Sequence, residues 1–222
     1  MDKKQSHSLI LLPSSALGKL SAGPMAIMDG MVSDALAIVR SHERALAAKR
    51  FRIGGYEFCD PDYRQILIWA KALRLKPDEV VNRLLCTEIK YNSAMHKLEV
   101  INGHIVKLAW DFQLLPISVF EWVNGLCIQS IAFKGKSTAN IALQLPMLQE
   151  LYCFCIHLIQ LELTNVPNLT VLWCSHNSSF SKLNLSNVPN LITLICGFNK
   201  ITELDLSKDS KSNKTYMFGQ ST

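Results

Sequence analysis

Apolar residues in the second half of the chain recur with a period in the low twenties. Three copies of Pro-x-Leu-x-x-Leu-x-Cys begin at Pro146, Pro167 and Pro189, at steps of 21 and 22 residues. Each copy closes in Leu-x-Leu followed by Thr or Ser. A fixed period of this length is typical of a solenoid, in which each repeat is one turn that packs against its neighbours. The pattern therefore predicts a solenoid over this part of the chain.

Each copy contains one short segment with the alternation of a β-strand. Side chains of a strand point to opposite faces in turn, so one face would enter the core and the other would stay outside. We expect the inward set to be Leu151, Cys153, Leu172, Cys174, Leu194 and Cys196. The outward set is then Glu150, Tyr152, Val171, Trp173, Thr193 and Ile195. Asn177 and Asn199 follow the cysteines, where an amide side chain can bond the exposed backbone of the bend.

Two weaker copies precede these three, as expected for terminal repeats. Their apolar positions are Ile105, Leu108 and Trp110, and then Ile128, Ile131 and Phe133. The predicted solenoid therefore covers residues 96–207 and has about five repeats. Residues 208–222 are a polar tail without a further Leu-x-x-Leu. The last turn would be open, either because the chain is a shortened relative of longer repeat proteins or because a partner covers that edge.

The unit Leu-x-x-Leu-x-Cys-x-x-Asn, closing in Leu-x-Leu-Ser, resembles the short leucine-rich repeats of bacterial proteins. It is particularly similar to internalin-type repeats, in which cysteine replaces a core leucine in successive turns. The resemblance covers residues 145–207 closely and 105–144 loosely. It implies an α/β solenoid that binds another protein on its concave face, and it implies no enzymatic activity. Internalins are surface proteins with a signal peptide and a different cap. We recognise neither feature in this sequence, so the resemblance does not imply a role in invasion.

The first part of the chain has helical rather than strand-like spacing. Residues 1–22 are polar and Ser-rich, and we expect a flexible lead-in there. One helix is predicted over 24–39, and two more begin at Asp60 and Pro77, because Asp and Pro favour helix starts. Since the end of a solenoid needs a cover, we expect residues 23–95 to form a small, mainly α-helical N-terminal cap domain.

Two shorter features interrupt these helices. Residues 51–58 alternate around two glycines, which predicts a short hairpin or a turn. The helix, tight turn and helix over Tyr63–Leu85 have the outline of a DNA-reading unit. Asp78 and Glu79 lie on the outward side of the second helix and would repel phosphate, so the cap is the better interpretation.

The net charge of +5 belongs to the flanks of the solenoid. Residues 96–206 hold 6 Lys and Arg against 7 Asp and Glu, whereas residues 1–95 hold 14 against 10. Nucleic-acid affinity depends largely on clustered Lys and Arg, so the nearly neutral repeats argue against a phosphate-binding groove. The basic segment Arg40–Arg52 is the part of the chain that could contact nucleic acid.

The cysteine count and the short apolar runs indicate in which cellular compartment the protein acts. The seven cysteines are an odd number, which favours free thiols used for packing in a reducing compartment. No apolar run is long enough to span a bilayer, and residues 1–13 lack the apolar region of a secretory signal. We therefore expect a cytoplasmic protein.

One group of residues has the composition of a zinc site: Cys153, Cys155, Cys174 and His176. They hold equivalent positions in neighbouring repeats, and adjacent strands lie about 4.8 Å apart, so four ligands could meet. Against a metal, Cys196 continues the same column, and cysteine is among the most buried residue types. We therefore expect packing thiols, with no metal and no cofactor.

Catalytic motifs are weak in this sequence. Gly135-Lys136-Ser137-Thr138 is similar to the end of a phosphate-binding loop, but Ser130 stands where that loop needs a glycine. The spacing of the Ser, Cys, His and Asp residues does not place a nucleophile beside a base. We therefore expect no enzymatic activity.

The remaining candidate site is a column of outward residues on successive strands. It consists of Ala132, Tyr152, Trp173 and Ile195, with Phe154, Glu150 and Val171 beside them. Exposed apolar patches mark interaction sites, and Tyr and Trp are common anchors of interfaces. The alternative is that one or two of the rings pack against the cap or the tail. We expect the rings of Tyr152 and Trp173 to contact each other.

The leading hypothesis is a non-enzymatic interaction module that binds a protein partner on this column. It would bind no membrane and no small-molecule substrate. One alternative is a nucleic-acid-associated adaptor that uses Arg40–Arg52. Another is an enzyme or regulator whose active part is missing or lies in residues 1–95.

Overall fold

The computed structural model describes Ala37 and residues 49–91, 94–117, 119–136, 140–204 and 215–217. The chain divides into two units, 1–48 and 49–222, and the fold given below is that of the second unit. The predicted lead-in, the predicted helix over 24–39 and most of the polar tail lie outside the described residues.

Residues 51–58 form the predicted hairpin. Strands β1 (Phe51–Ile53) and β2 (Tyr56–Phe58) pair antiparallel. Gly54 and Gly55 connect them with φ of 56° and 82°, a left-handed conformation that favours glycine. The backbone N–H of Gly54 donates to the carboxylate of Asp78, at 2.7 Å, which holds the hairpin against the second helix.

The two helices of this region begin where the sequence predicts. Helix α1 (Asp60–Leu73) has Pro61 in its first turn, and helix α2 (Pro77–Leu85) starts with proline. Glu79 accepts a hydrogen bond from the backbone N–H of Lys76 and so closes the start of α2. The buried faces are formed by Ile66, Trp69 and Ala70 of α1 and by Val80, Val81 and Leu84 of α2.

A mainly helical cap over 23–95 is not supported by the described residues. A second antiparallel hairpin follows the helices, with strands β3 (Ile89–Tyr91) and β4 (Ala94–His96). Residues 49–96 are therefore a mixture of two helices and two hairpins. The sequence analysis missed the second hairpin because its strands are only three residues long and show too few alternations to reveal a period.

The solenoid is confirmed, and its main sheet has seven strands. Strand β5 (Glu99–Ile101) pairs antiparallel with β6 (His104–Asp111). The next strands all run parallel: β7 (Ser130–Lys134), β9 (Glu150–Tyr152), β11 (Val171–Trp173), β13 (Thr193–Ile195) and β15 (Thr215–Met217). Each connection returns to start the next strand beside the last, which gives about four turns.

The opposite side of the solenoid is built from strands rather than helices. Strand β8 (Asn140–Leu143) pairs parallel with β10 (Gln160–Leu163), and β12 (Lys182–Leu183) with β14 (Glu203–Leu204). In the described part of the chain no helix follows Leu85. The expectation of an α/β solenoid is therefore not supported, and the structure is a β-solenoid. The closing Leu-x-Leu has the period of a strand, and a turn of 21 or 22 residues leaves little length for a helix.

The predicted register of the repeats is confirmed. Equivalent leucines or isoleucines pair across the sheet, in the order Leu108, Ile131, Leu151, Leu172 and Leu194. All six residues of the predicted inward set are buried. They belong to one hydrophobic core that continues into the helices, where Trp69 meets Trp110 edge-on at 5.1 Å between ring centroids. The helices and the solenoid therefore share one core.

Two ladders of asparagines tie successive turns together. Asn177 is fully buried, and its amide bonds five backbone groups of its own and the preceding turn. Asn199 repeats part of this role one turn later, where its Oδ1 accepts from the N–H of Asn177. The second ladder lies at the Val-Pro-Asn segments, where Asn168 donates to the carbonyl of Pro146 and Asn190 to that of Pro167. The first ladder was predicted, whereas the second was missed although the repeated asparagine is visible in the sequence.

The sheet continues beyond the last predicted repeat. Strand β15, within the segment expected to be only a polar tail, pairs parallel with β13. The edge of β13 is therefore occupied by this chain, and the expectation that the last turn is open is wrong for that strand. No helix among the described residues has the length and the apolar character needed to cross a membrane.

Candidate functional site on the outward face of the sheet

The strands of the solenoid separate core from surface as the alternation predicts. In β9, β11 and β13 the middle leucine is buried and both neighbours are half-buried. The outward face consists of Glu150, Tyr152, Val171, Trp173, Thr193 and Ile195. Backbone pairing places Tyr152 beside Trp173, and Trp173 beside Ile195. The ring centroids of Tyr152 and Trp173 lie 6.4 Å apart, so their predicted contact is confirmed.

The hairpin of β3 and β4 covers one end of this face. The ring of Tyr91 stacks on Tyr152 at 5.7 Å and touches Trp173 at the same distance. Its hydroxyl donates to the carbonyl of Phe133, at 2.6 Å. His96, from the second strand of the hairpin, lies 4.4 Å from the ring of Tyr152. The alternative that some outward rings pack against the N-terminal region therefore holds for Tyr152, and Tyr91 also contacts Trp173 and, at 5.9 Å, Phe154.

Ala132 is wrong as a member of an exposed patch. It is fully buried and packs against Ala109 and Ile89, with the ring of Tyr152 beside them. The reason is the hairpin, because Ile89 of β3 lies on the small side chains of β6 and β7. The part of the outward face that the hairpin leaves uncovered therefore lies on the later turns of the solenoid.

Four rings form a row from the half-buried Phe154 and Trp173 to the exposed His176 and Phe198, and we call these four side chains the aromatic strip. Phe154 meets Trp173 at 5.8 Å and His176 at 4.8 Å, both edge-on. His176 in turn lies 4.4 Å from Phe198. Phe198 is 48% exposed, and His176 is also exposed. The strip is therefore a continuous row of rings that crosses successive turns.

His176 and Phe198 were not predicted as site residues. Each stands two residues after a core cysteine, where the strand has ended and alternation no longer applies. There the backbone is left-handed in three successive turns, with φ of 53° at Cys155, 61° at His176 and 56° at Phe198. The bend turns these side chains onto the same surface as the outward residues. The sequence could have indicated His176 and Phe198 only through their equivalent positions in successive repeats, because no strand pattern includes them.

Few charges lie on this face. Glu150 accepts a hydrogen bond from the hydroxyl of Ser130 at 3.1 Å and lies toward the covered end. Burial, together with the nearby Glu150, raises the pKa of Tyr152 to about 12. Burial also raises the pKa of Tyr91. Both phenols therefore stay neutral, and the face offers rings and hydroxyl groups rather than charge.

The zinc hypothesis has no support in the geometry. Cys153 and Cys174 are buried in the core ladder, and burial raises the pKa of both thiols, which disfavours the thiolate that a metal needs. Cys155 is exposed and lies at the bend, outside this ladder. Within the described segments, no group of three or more His, Cys, Asp or Glu side chains could hold a metal ion.

The segment that is similar to a phosphate-binding loop has another explanation. Gly135 follows β7 with φ of 86°, and a Cβ at this position would lie 2.9 Å from an oxygen of Asp111. Asp111 accepts from the backbone N–H of Gln113 and lies 3.6 Å from the ammonium group of Lys134. The glycine is thus needed for a turn beside a carboxylate. Ser137 and Thr138 lie outside the described residues, and so does most of the basic segment Arg40–Arg52.

His96 makes the covering hairpin sensitive to acid. Burial lowers the pKa of His96 below its ordinary value of 6.5; among weaker influences, Glu150 raises it and Lys107 lowers it. Its Nε2 is buried without a hydrogen-bond partner among the described residues. Between the lowered pKa and 6.5 the unfolded chain binds more protons than the folded chain, so stability falls as the pH falls through that window. Above 6.5 this group has no further effect.

We therefore expect acidification from about pH 7 to about pH 5 to loosen the hairpin of β3 and β4. His96→Phe keeps a ring against Tyr152 and removes the titration. Hydrogen exchange of the β3 and β4 amides is expected to accelerate in acid for the wild-type chain and much less for the variant, after correction for the intrinsic pH dependence. Equal acceleration in both chains would show that another group is responsible.

Comparison of the chain with protein-family models, curated proteins and solved structures gave no match.

Proposed function

We propose that this protein is an interaction module that binds another protein through the aromatic strip. The observation that carries the proposal is the row of four rings, with neighbouring centroids 4.4 to 5.8 Å apart, on the rigid turns of the solenoid. Contiguous exposed apolar surface marks interaction sites, and aromatic side chains supply much of the energy of protein interfaces.

The chemistry of the strip favours an apolar partner segment. Phe154, Trp173 and Phe198 offer ring faces and edges, and Ile195 adds an aliphatic side chain beside them. The indole N–H of Trp173 already donates to the hydroxyl of Ser175 at 2.6 Å, so this ring contributes mainly apolar area. Glu150 and Val171 lie at the margin. A partner would therefore be held by apolar contact and not by charge steering.

We further infer that the solenoid is a short leucine-rich repeat whose convex side consists of strands. The residues of the motif support this, because its leucines and cysteines are buried in register and its asparagines bond the bend. We also infer that the helices and hairpins of residues 49–96 cover the N-terminal end of the core. All seven cysteines are free thiols, which suits a reducing compartment, and we propose that the protein acts in the cytoplasm.

Phe198→Ala and Trp173→Ala test the proposed interface. Truncation of an aromatic anchor typically costs about 2 kcal/mol of binding free energy or more, which is roughly a thirtyfold loss of affinity. The matched control is Ile159→Ala. The side chain of Ile159 is 47% exposed, nearly the same fraction as that of Phe198, but it lies next to β10 on the opposite side of the solenoid. A partner captured on the full chain is purified and titrated against each variant by calorimetry.

The proposal predicts that both strip variants lose affinity while Ile159→Ala binds like the wild-type protein. Phe198→Ala should melt within a few degrees of the wild-type chain, since a half-exposed ring contributes little to stability. Unchanged affinity in both strip variants, or a larger loss in Ile159→Ala, would place the interface elsewhere.

A further inference from the structure

A second polar cluster lies at the start of helix α1, away from the aromatic strip. Cys59 is the residue before the helix, Asp62 is in its first turn, and His104 opens strand β6. The thiol of Cys59 lies 3.2 Å from Nε2 of His104. Nδ1 of His104 lies 2.9 Å from Oδ2 of Asp62. A thiol, an imidazole and a carboxylate are thus arranged in one line of contacts.

Buried hydrogen bonds fix this line of contacts. Asp62 is fully buried, and its other oxygen accepts from the backbone N–H of Ile105 at 2.9 Å. Burial raises the pKa of Asp62, while the hydrogen bonds from Ile105 and His104 lower it. The carboxylate beside Nδ1 favours the tautomer with the hydrogen on Nδ1, and in that tautomer Nε2 is the acceptor that faces the sulfur. The imidazole therefore has the tautomer and the orientation of a general base toward Cys59.

The turn between β5 and β6 brings the histidine to the thiol. Asn102 and Gly103 have φ of 51° and 81°, the conformation of a tight hairpin turn. The carbonyl of Gly103 accepts from the backbone N–H of Cys59 at 2.8 Å. A Cβ on Gly103 would lie 3.1 Å from the sulfur, from the nitrogen of Cys59 and from the guanidinium of Arg50. Only a residue without a side chain fits this approach.

Arg50 covers the thiol from the solvent side. One of its terminal nitrogens lies 2.8 Å from the sulfur, and its side chain is exposed. Burial raises the pKa of the Cys59 thiol, and the charge of Arg50 opposes this effect. A thiol that is protonated at rest requires a base at the moment of attack. His104 is in place to act as that base.

We propose that Cys59 is a nucleophile that accepts acyl groups from small esters or thioesters. His104 is the catalytic base, Asp62 is a positioning residue that acts through His104, and Arg50 supplies positive charge beside the sulfur. A small substrate is required because Cys59 is buried. This chemistry is independent of the proposed interaction surface.

The proposed reaction needs only the substrate and water. The sulfur of Cys59 attacks the carbonyl carbon, its proton moves to Nε2 of His104, and a carbon–sulfur bond forms. The bond to the leaving group breaks, and the leaving oxygen or sulfur takes the proton from His104. Water then attacks the thioester with His104 as base again, which releases the acid and restores the thiol.

The test uses the full chain and p-nitrophenyl acetate. Intact mass and peptide mapping are expected to show one acetyl group on Cys59, formed faster than on the exposed Cys86 and Cys155. His104→Gln is expected to lower the rate of acetylation at Cys59 about a hundredfold. The matched control is His157→Gln, because His157 is exposed and distant in the fold from the thiol, and its rate should equal that of the wild-type chain.

Asp62→Asn separates positioning from a merely structural role. An asparagine at this site can still accept the hydrogen bond from the backbone N–H of Ile105, but its amide group would donate a hydrogen bond to Nδ1 of His104. Nε2 then carries the ring hydrogen and cannot take the proton of the thiol. In Asp62→Asn and in His104→Gln the rate of acetylation at Cys59 should rise more steeply with pH than in the wild-type chain, because the thiol must then ionise unaided.

Acetylation of Cys86 or Cys155 with Cys59 left free would overturn the proposal. Equal rates of acetylation at Cys59 in the wild-type chain and in His104→Gln would also overturn it. After either result, the role left for the cluster is to hold helix α1 against the β5–β6 turn. Circular dichroism of each variant establishes that the comparison is between folded chains, and the site of acetylation in the wild-type chain decides the question without any variant.

Discussion

Asn177→Ala is expected to lower the free energy of unfolding by about 3–5 kcal/mol, a large part of the stability of an ordinary domain. The amide nitrogen of Asn177 donates to the carbonyls of Cys153, Cys174 and Ser175. Its oxygen accepts from the backbone N–H groups of Ile156 and Leu158, each at 3.0 Å. Alanine leaves all five backbone groups without this partner in a buried site. Each unsatisfied buried group costs about 1–3 kcal/mol, although relaxation keeps the sum below the simple total.

Equilibrium unfolding in urea measures this loss. Asn168→Ala is the matched control, because Asn168 is also a repeat asparagine but makes one bond, to the carbonyl of Pro146, at an exposed site. The control should lose no more than about 1 kcal/mol. A loss at Asn177 as small as that at Asn168 would mean that the bend of the solenoid does not depend on the buried amide.

The alternation of leucine and cysteine was sufficient to predict the core of the solenoid. A strand that is buried on one face has only one register that keeps its apolar residues inside, so Leu151, Leu172 and Leu194 could be assigned from spacing alone. The bend asparagines could be assigned for a similar reason, since a buried turn needs partners for its backbone groups. The outward position of Tyr152 and Trp173 follows from the same alternation.

Contacts between distant segments could not be predicted in this way. The cover over Tyr152 depends on Tyr91 and His96, whose three-residue strands have no detectable period. The burial of Ala132 follows from that cover and not from its own strand. Three of the four strands on the opposite side, β10, β12 and β14, were hidden in the closing Leu-x-Leu, which the resemblance to leucine-rich repeats implies to be part of an α/β turn.

The cluster at Cys59 shows the same limit. Cys59 and His104 are 45 residues apart, and no spacing rule connects a residue before a helix with one after a hairpin turn. The local signals were present separately. Asn102-Gly103 is a strong hairpin signal, and Asp60-Pro61 marks a helix start. Their packing against each other is a tertiary contact, so the spacing of the residues could not place this thiol beside a histidine.

Leu172→Asp is expected to prevent folding of the solenoid. Leu172 is fully buried between Leu151 and Leu194 in the central ladder. The change removes about 1.5–3 kcal/mol of apolar burial and places a carboxylate where no partner can reach it. Together these costs are comparable with the whole stability of a typical domain. Val171→Asp introduces the same charge one residue earlier on the half-buried outward side, where water can solvate it.

The claim that these strands separate a core from a binding face is tested most directly by urea unfolding of Leu172→Asp and Val171→Asp, side by side. The account predicts no cooperative transition for Leu172→Asp and a transition within about 1–2 kcal/mol of wild type for Val171→Asp. The opposite order, or equal loss in both variants, would contradict the register on which the core, the aromatic strip and the proposed interface all depend.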